Sequence, residues 1–266
     1  MEKSFCIANG DLLKIDDLRT APIFMLNDYV FDDLRLYNTK TLCLGMHVKR
    51  IQEAIELKHK KLPQKFTTEI LDRRIRSLLN VNKVYKGGIC RLLVYWQLFP
   101  EQSEPQFCIF TEPLESLEYE FPTQGVMLEM NHLDTEISNN PRFVAYKPLT
   151  DKATCDFDKN GRLYSTENQD ILLLRDEKIF VAENTLPFTS YFVEHLIRKK
   201  WKITRVPYFT QDNFSNCTEI LLCNQFIGIQ WVRRIYHSTE PQNFKSFGTT
   251  HTRKIWGELA SAIEEM

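Results

Sequence analysis

Two hairpins come before any helix in this chain, and that order narrows the folds open to it. Phe5-Cys-Ile-Ala and Asp11-Leu-Leu flank Asn9-Gly10, a pair suited to the positive φ of a tight hairpin turn. Residues 30–37, Val-Phe-Asp-Asp-Leu-Arg-Leu-Tyr, alternate and run into Asn38-Thr-Lys, with 41–44 as the returning strand. The spacing then becomes helical over Met46–Leu57, with Val48, Ile51 and Ile55 as an apolar stripe. His47 and Arg50 share a face of that helix. A second helix is expected from Thr67 to Leu79, capped by Thr67 or Thr68, with Ile70, Leu71, Ile75, Leu78 and Leu79 inward. Strands over Gly88–Trp96 and Gln106–Phe110 follow, and this order of strands, two helices and strands predicts α+β packing. Pro113 and Pro122 mark 113–124 as a linker between an N-terminal domain, 1–112, and a C-terminal domain, 125–266.

The bulk composition removes several function classes. A chain of 266 residues with 43% hydrophobic residues can bury a real core. A net charge of -1 argues against a general electrostatic grip on nucleic acid or an anionic membrane. No apolar run approaches the roughly 18 residues of a membrane span, and Met-Glu-Lys-Ser-Phe-Cys has no signal-peptide pattern. The seven cysteines lie singly at 6, 43, 90, 108, 155, 217 and 223, with no CxxC. A reduced, cytoplasmic protein is the expectation. The six histidines show no metal-ligand spacing, so no metal is expected.

In the second half, Gly125–Met130 reads as a strand and Arg142-Phe-Val-Ala-Tyr-Lys147 as the next. Phe143, Ala145 and Lys147 would share one face, and Val144 and Tyr146 the other. A lysine ending an apolar strand is costly to bury as a cation. It either reaches solvent or has a lowered pKa and reacts as an amine. The stretch 150–160 is short and polar, and Asn160-Gly161-Arg-Leu-Tyr-Ser165 reads as a turn and strand. Asp170–Leu174 and Ile179–Val181 form a hairpin around Arg-Asp-Glu-Lys178. Pro187 precedes a helix, expected to be capped by Thr189 or Ser190, that ends at Arg198-Lys-Lys200. The start of such a helix can hold a phosphate. A buried strand and turn over 219–232 would explain the leucines there, but not Asn224 and Gly228 together. An amphipathic helix over Thr249–Met266, with Ile255, Leu259 and Ile263 inward, closes the chain.

Several of these stretches resemble one family. Asn27-Asp-Tyr-Val-Phe-Asp-Asp-Leu-Arg-Leu-Tyr-Asn38, followed by His47-Val-Lys-Arg50-Ile, is similar to the opening of the class IV, or fold type IV, pyridoxal-phosphate aminotransferases. That group includes branched-chain and D-amino-acid aminotransferases and aminodeoxychorismate lyase. Glu219-Ile-Leu-Leu-Cys-Asn224-Gln-Phe-Ile-Gly228-Ile-Gln-Trp-Val232 resembles the family's late segment, with Trp231 in place of a proline. Phe188-Thr189 matches the family's phosphate helix, with Ser190 replacing an arginine. Asn27 and Tyr29 stand where the family has glycines, and Asp32 where it has glutamate. A tyrosine at 29 should alter the substrate side of the pocket.

The resemblance implies a two-domain α+β fold of the D-amino-acid aminotransferase kind, with pyridoxal 5'-phosphate between the domains. It also implies a homodimer and an amino-acid or keto-acid substrate. Lys147 matches the lysine that condenses with the cofactor aldehyde and then shuttles a proton, with Lys152 the runner-up. Arg50 matches the phosphate clamp. Phe188, Thr189, Asn224 and Gln225 are the remaining phosphate candidates. The family's glutamate against the pyridine nitrogen falls on Ser165, the register that keeps 170–181 an intact hairpin, or on Glu183, with Glu167 near enough to substitute. A serine hydroxyl cannot hold the ring nitrogen's charge as a carboxylate does, so full transamination should be weakened. Tyr29, Tyr37 and Trp96 are candidates to line the substrate pocket, although aromatic residues there are more often core. Two functions follow: an aminotransferase or aminodeoxychorismate-lyase-like enzyme, or a family member whose catalysis has lapsed, leaving a binding or scaffold protein.

Overall fold

The computed structural model describes residues 4–15, 28–96, 105–114, 121–122, 124–136, 146, 150–166 and 168–266. The chain divides into two compact units, Met1–Leu117 with Phe143–Tyr146, and Glu118–Arg142 with Lys147–Met266.

The first unit is an antiparallel sheet with helices on one face. Its strands are β1 (Phe5–Ala8), β2 (Asp11–Lys14), β3 (Tyr29–Tyr37), β4 (Lys40–Thr41), β5 (Gly87–Tyr95) and β6 (Gln106–Pro113). Their spatial order is β2-β1-β6-β5-β3-β4. Asn9 (φ 51°) and Gly10 (φ 98°) make the first turn, as the dipeptide predicts. Pro113 belongs to β6 rather than to a linker.

Helix α1 (Leu44–Leu57) buries Val48, Ile51 and Ile55, the predicted stripe. Helix α2 (Thr68–Asn82) begins after Thr67, whose hydroxyl accepts the N–H of Ile70 at 3.4 Å. Both pack on the face that carries Val30, Leu34 and Leu36 of β3 and Leu92 and Val94 of β5. Alternation turns Tyr29, Phe31, Asp33, Arg35 and Tyr37 to the other face.

The second unit holds a larger mixed sheet. Its strands are β7 (Val126–His132), β8 (Lys152–Phe157), β9 (Asp170–Arg175), β10 (Lys178–Ala182), β11 (Lys202–Val206), β12 (Glu219–Asn224), β13 (Gly228–His237) and β14 (Glu240–Ser246). The order is β11-β10-β9-β12-β13-β7-β8, with β14 added on β13. The pairs β10/β11, β13/β7 and β7/β8 are parallel. Helices α3 (Pro187–Arg198) and α5 (Thr250–Glu264) pack against β12 and against each other, and the short α4 (Gln211–Asn216) lies near β9. Every residue of β12 is buried, because this central strand is covered on both sides.

Several expectations change. The hairpin over 170–182 is present, in register Lys178↔Arg175 to Val181↔Leu172. The polar stretch after 150 is a strand, β8, held by its parallel ladder to β7. In the turn-and-strand stretch after Asn160, Leu163 makes an isolated bridge to Phe209. Neither Thr189 nor Ser190 caps α3: Leu186 stands at the cap and Pro187 is the first helical residue. Proline suits that position, because its fixed φ is helical and its missing N–H would have no partner there. Of 142–147, only Tyr146 lies among the described residues, and it is not in a strand; Lys147 lies outside them.

Candidate active site

In the first unit, Asp32 faces α1 and meets both side chains that the helical spacing put on one face. The His47 Nδ1 lies 2.6 Å from Asp32 Oδ2, and Arg50 Nη2 donates to Oδ1 at 2.5 Å. All three side chains are buried. Burial alone would raise the Asp32 pKa; the charges of His47 and then Arg50 outweigh it and hold the carboxyl below its usual range. The pair fixes the plane of the guanidinium, which then presents its fork in one orientation. His47 Nε2 is buried and finds no hydrogen-bond partner among the described residues.

On the opposite face of the same strand, Asp33 sits across from Arg91 of β5. Arg91 Nε and Nη2 donate to the two Asp33 oxygens at 2.6 and 2.7 Å. The backbone N–H of Tyr146 donates to Asp33 Oδ2 at 3.0 Å. The Arg91 guanidinium lies 5.4 Å from the centre of the Phe31 ring, and Tyr29, about half exposed, packs at 6.1 Å from Phe31. Tyr29 and Tyr37 therefore share this face with the Asp33–Arg91 pair.

Trp96 is not on that face. It packs in the helix-side core, with Lys60 Nζ 5.6 Å from its ring centre. The aromatic that joins Tyr29 is Tyr95, its cross-strand partner, whose hydroxyl donates to Gln106 Oε1 at 2.8 Å. Counting the parity of β5 from Arg91 would have selected Tyr95.

In the second unit, three segments far apart in sequence meet around the start of α3. Asp170 Oδ2 accepts the N–H of Leu186 at 2.7 Å. The hydroxyl of Thr189 donates to the carbonyl of Cys223 at 3.4 Å. Asn224 Nδ2 donates to the carbonyl of Asn168 at 3.1 Å. Phe188, Thr189, Asn224 and Gln225 thus belong to adjoining segments, and Ser165 precedes Asn168 by three residues in the chain.

Their roles differ. The Phe188 ring is buried against Phe192, so only its backbone can meet a ligand. Asn224 Oδ1 accepts the N–H groups of Phe226 and Ile227 at 2.9 and 3.0 Å, so its amide builds the β12–β13 turn. Gly228 ends that turn at φ 76°, and a Cβ there would lie 2.8 Å from Leu259. Asn224 and Gly228 occur together because this turn needs both. Gln225 is fully buried in it, and Ser165 is half-buried in the stretch leading to the Thr166–Gln169 turn.

Helix α3 has no side-chain cap, and helix geometry leaves its first N–H groups, at Phe188 and Thr189, without carbonyls inside the helix. Such a start suits an anion, here beside the Asp170 carboxylate.

The alternative positions fit less well. Lys152 Nζ pairs with Glu129 at 2.8 Å, and that hydrogen bond raises its pKa, which keeps it an ammonium. Glu183 is exposed at the end of β10. Glu167 lies outside the described residues. Among the described residues no cluster of His, Cys, Asp and Glu could hold a metal ion, and no helix is long and apolar enough to cross a membrane. No disulfide joins the seven cysteines.

No sequence-family model matches the chain, and no curated protein matches it by sequence. Solved structures match it over nearly its whole length. The branched-chain amino acid aminotransferase of Thermobaculum terrenum, in its pyridoxal-phosphate form, superposes with TM-score 0.76 at 15% identity, covering 98% of this chain and 94% of that one. The Escherichia coli enzyme gives 0.72 at 13% identity, over 96% and 92%. That of Thermoproteus uzoniensis, solved with norvaline, gives 0.72 at 12% identity, over 97% and 94%. At such identities the likeness is one of architecture, and the chain has the α+β fold of the fold type IV aminotransferases.

Proposed function

We propose that this protein is a pyridoxal-phosphate enzyme of the class IV aminotransferase kind, acting on an amino acid or an amino-bearing carboxylate. The observation that carries the proposal is the meeting of the Asn168–Asp170, Thr189 and Asn224 segments around an uncapped helix start, within a fold matched end to end by such enzymes. A helix start without a side-chain cap, whose first N–H groups have no carbonyls inside the helix, fits a phosphate. Arg50, oriented by Asp32, fits one as well. The Asp170 carboxylate beside Leu186 is a group there that a phosphate would find unfavourable.

When bound, the cofactor supplies an electrophilic carbon and an electron sink. The N–H groups of Phe188 and Thr189 would hold its phosphate. Lys147 would be its amine partner and would move the proton at the substrate's α-carbon. Ser165 would donate or accept one hydrogen bond at the ring nitrogen without holding a charge there. That weakens the sink and favours chemistry that needs little carbanion stabilisation. A homodimer in a reducing, cytoplasmic setting completes the reading.

The test is covalent trapping. Purified protein incubated with pyridoxal phosphate and reduced with borohydride should carry the cofactor on Lys147 by peptide mass spectrometry, and Lys147→Ala should carry none. Protein that stays colourless and unmodified sinks the proposal. The Asp170 carboxylate at the helix start and the serine at 165 favour one other reading, a lapsed enzyme that keeps the fold to bind a partner. Half-transamination with a panel of amino and keto acids separates the two, since any turnover removes the second.

A further inference from the structure

Asp33 has no counterpart among the family positions quoted above, yet it is fully buried. A buried carboxylate is costly unless every oxygen is engaged. Arg91 reaches both oxygens in a fork, and that hydrogen bond raises the pKa of the guanidinium. The same carboxylate accepts the backbone N–H of Tyr146, 113 residues away along the chain. Tyr146 is the residue before Lys147.

We propose that Asp33, oriented by Arg91, is a positioning residue that anchors the peptide immediately before the candidate amine Lys147. The proposal rests on the reading of Lys147 given above. A charge-assisted bond to an N–H is stronger than a neutral one. The two acids of β3 then divide the work by face: Asp32 orients the arginine of α1, and Asp33 the chain leading to the amine.

Two readouts on the full-length protein test this. In the cofactor-free state, amide exchange at Tyr146 followed by NMR should be protected, and about tenfold faster in Asp33→Ala. Asp33→Asn keeps an acceptor oxygen and should restore part of the protection. With pyridoxal phosphate added, borohydride trapping at Lys147 should be slowed about tenfold in Asp33→Ala and less in Asp33→Asn. Equal exchange and equal trapping in wild type and Asp33→Ala overturn this proposal alone. Wild type that traps nothing at Lys147 removes the enzymatic reading, and this one with it. If Asp33→Ala does not fold, Arg91→Met serves, since a loosened carboxylate must also deprotect Tyr146; unchanged exchange there overturns the anchor.

Discussion

Asp32 and Asp33 are chain neighbours that face opposite ways, and each is buried with its own cations. A strand makes this possible, because successive side chains leave the sheet on opposite sides. Asp32 is legible in the sequence only as a departure from the family's glutamate. The structure adds that it binds both His47 and Arg50. Removing one partner of a buried ion pair leaves the other charge stranded. Asp32→Ala should therefore cost about 3–5 kcal/mol, read from the urea midpoint at neutral pH. Its folded pKa is depressed, so the stabilisation is present above the ordinary carboxyl pKa near 4 and is lost as pH falls below it. The gap between wild type and Asp32→Asn should narrow on acidification, and a constant gap would contradict this.

At the scale of elements, α5 shows how a helix start can be held from outside. Glu219, the buried first residue of β12, accepts from the N–H of His251 at 2.9 Å and from the N–H and hydroxyl of Thr252 at 2.7 and 2.6 Å. No side chain of α5 itself caps it. Burial would raise the Glu219 pKa, but the His251 and Thr252 donors outweigh it and lower it. Glu219→Gln should destabilise the second unit by about 1–3 kcal/mol at pH 7, with the difference shrinking as pH drops toward 3 by the same sign rule. Thermal melts at several pH values check it. Lys245 does the converse for α4: its ammonium donates to the carbonyls of Phe214, Ser215 and Cys217 at 3.2, 2.7 and 2.7 Å, at the helix's carbonyl end. Four elements escaped the sequence reading. Strands β11 and β14 are mostly exposed, so they carry no alternation to detect, and β8 is polar at its start. Backbone pairing with neighbours holds all three. Helix α4 has only six residues, and its one signal was the reciprocal Thr210–Asn213 capping box.

For the whole molecule, a ligand that binds only the folded chain raises its stability by mass action. At about a hundred times its Kd, pyridoxal phosphate should add about 2.7 kcal/mol, a rise of roughly 5–11 °C in Tm for a protein of this size. Arg50→Met should lose most of that shift at the same fixed concentration, because a weaker Kd lowers the ratio of ligand to Kd. A differential scanning measurement with inorganic phosphate as control checks it, and a shift unaffected by Arg50→Met would count against Arg50 as the clamp.

The chain's own periodicities were enough for the first hairpin, α1, α2, the 170–182 hairpin and the closing helix. Those signals are local: turn dipeptides that tolerate positive φ, and apolar spacing of two or 3.6 residues. Which side chains meet was decided only by the tertiary structure. Trp96 fell to the core and Tyr95 to the other face because a strand's parity depends on its partner's register. Thr189 turned to Cys223 instead of capping because Pro187 began the helix two residues earlier. Asp33 found Tyr146 across 113 residues of chain, a contact that no local pattern encodes.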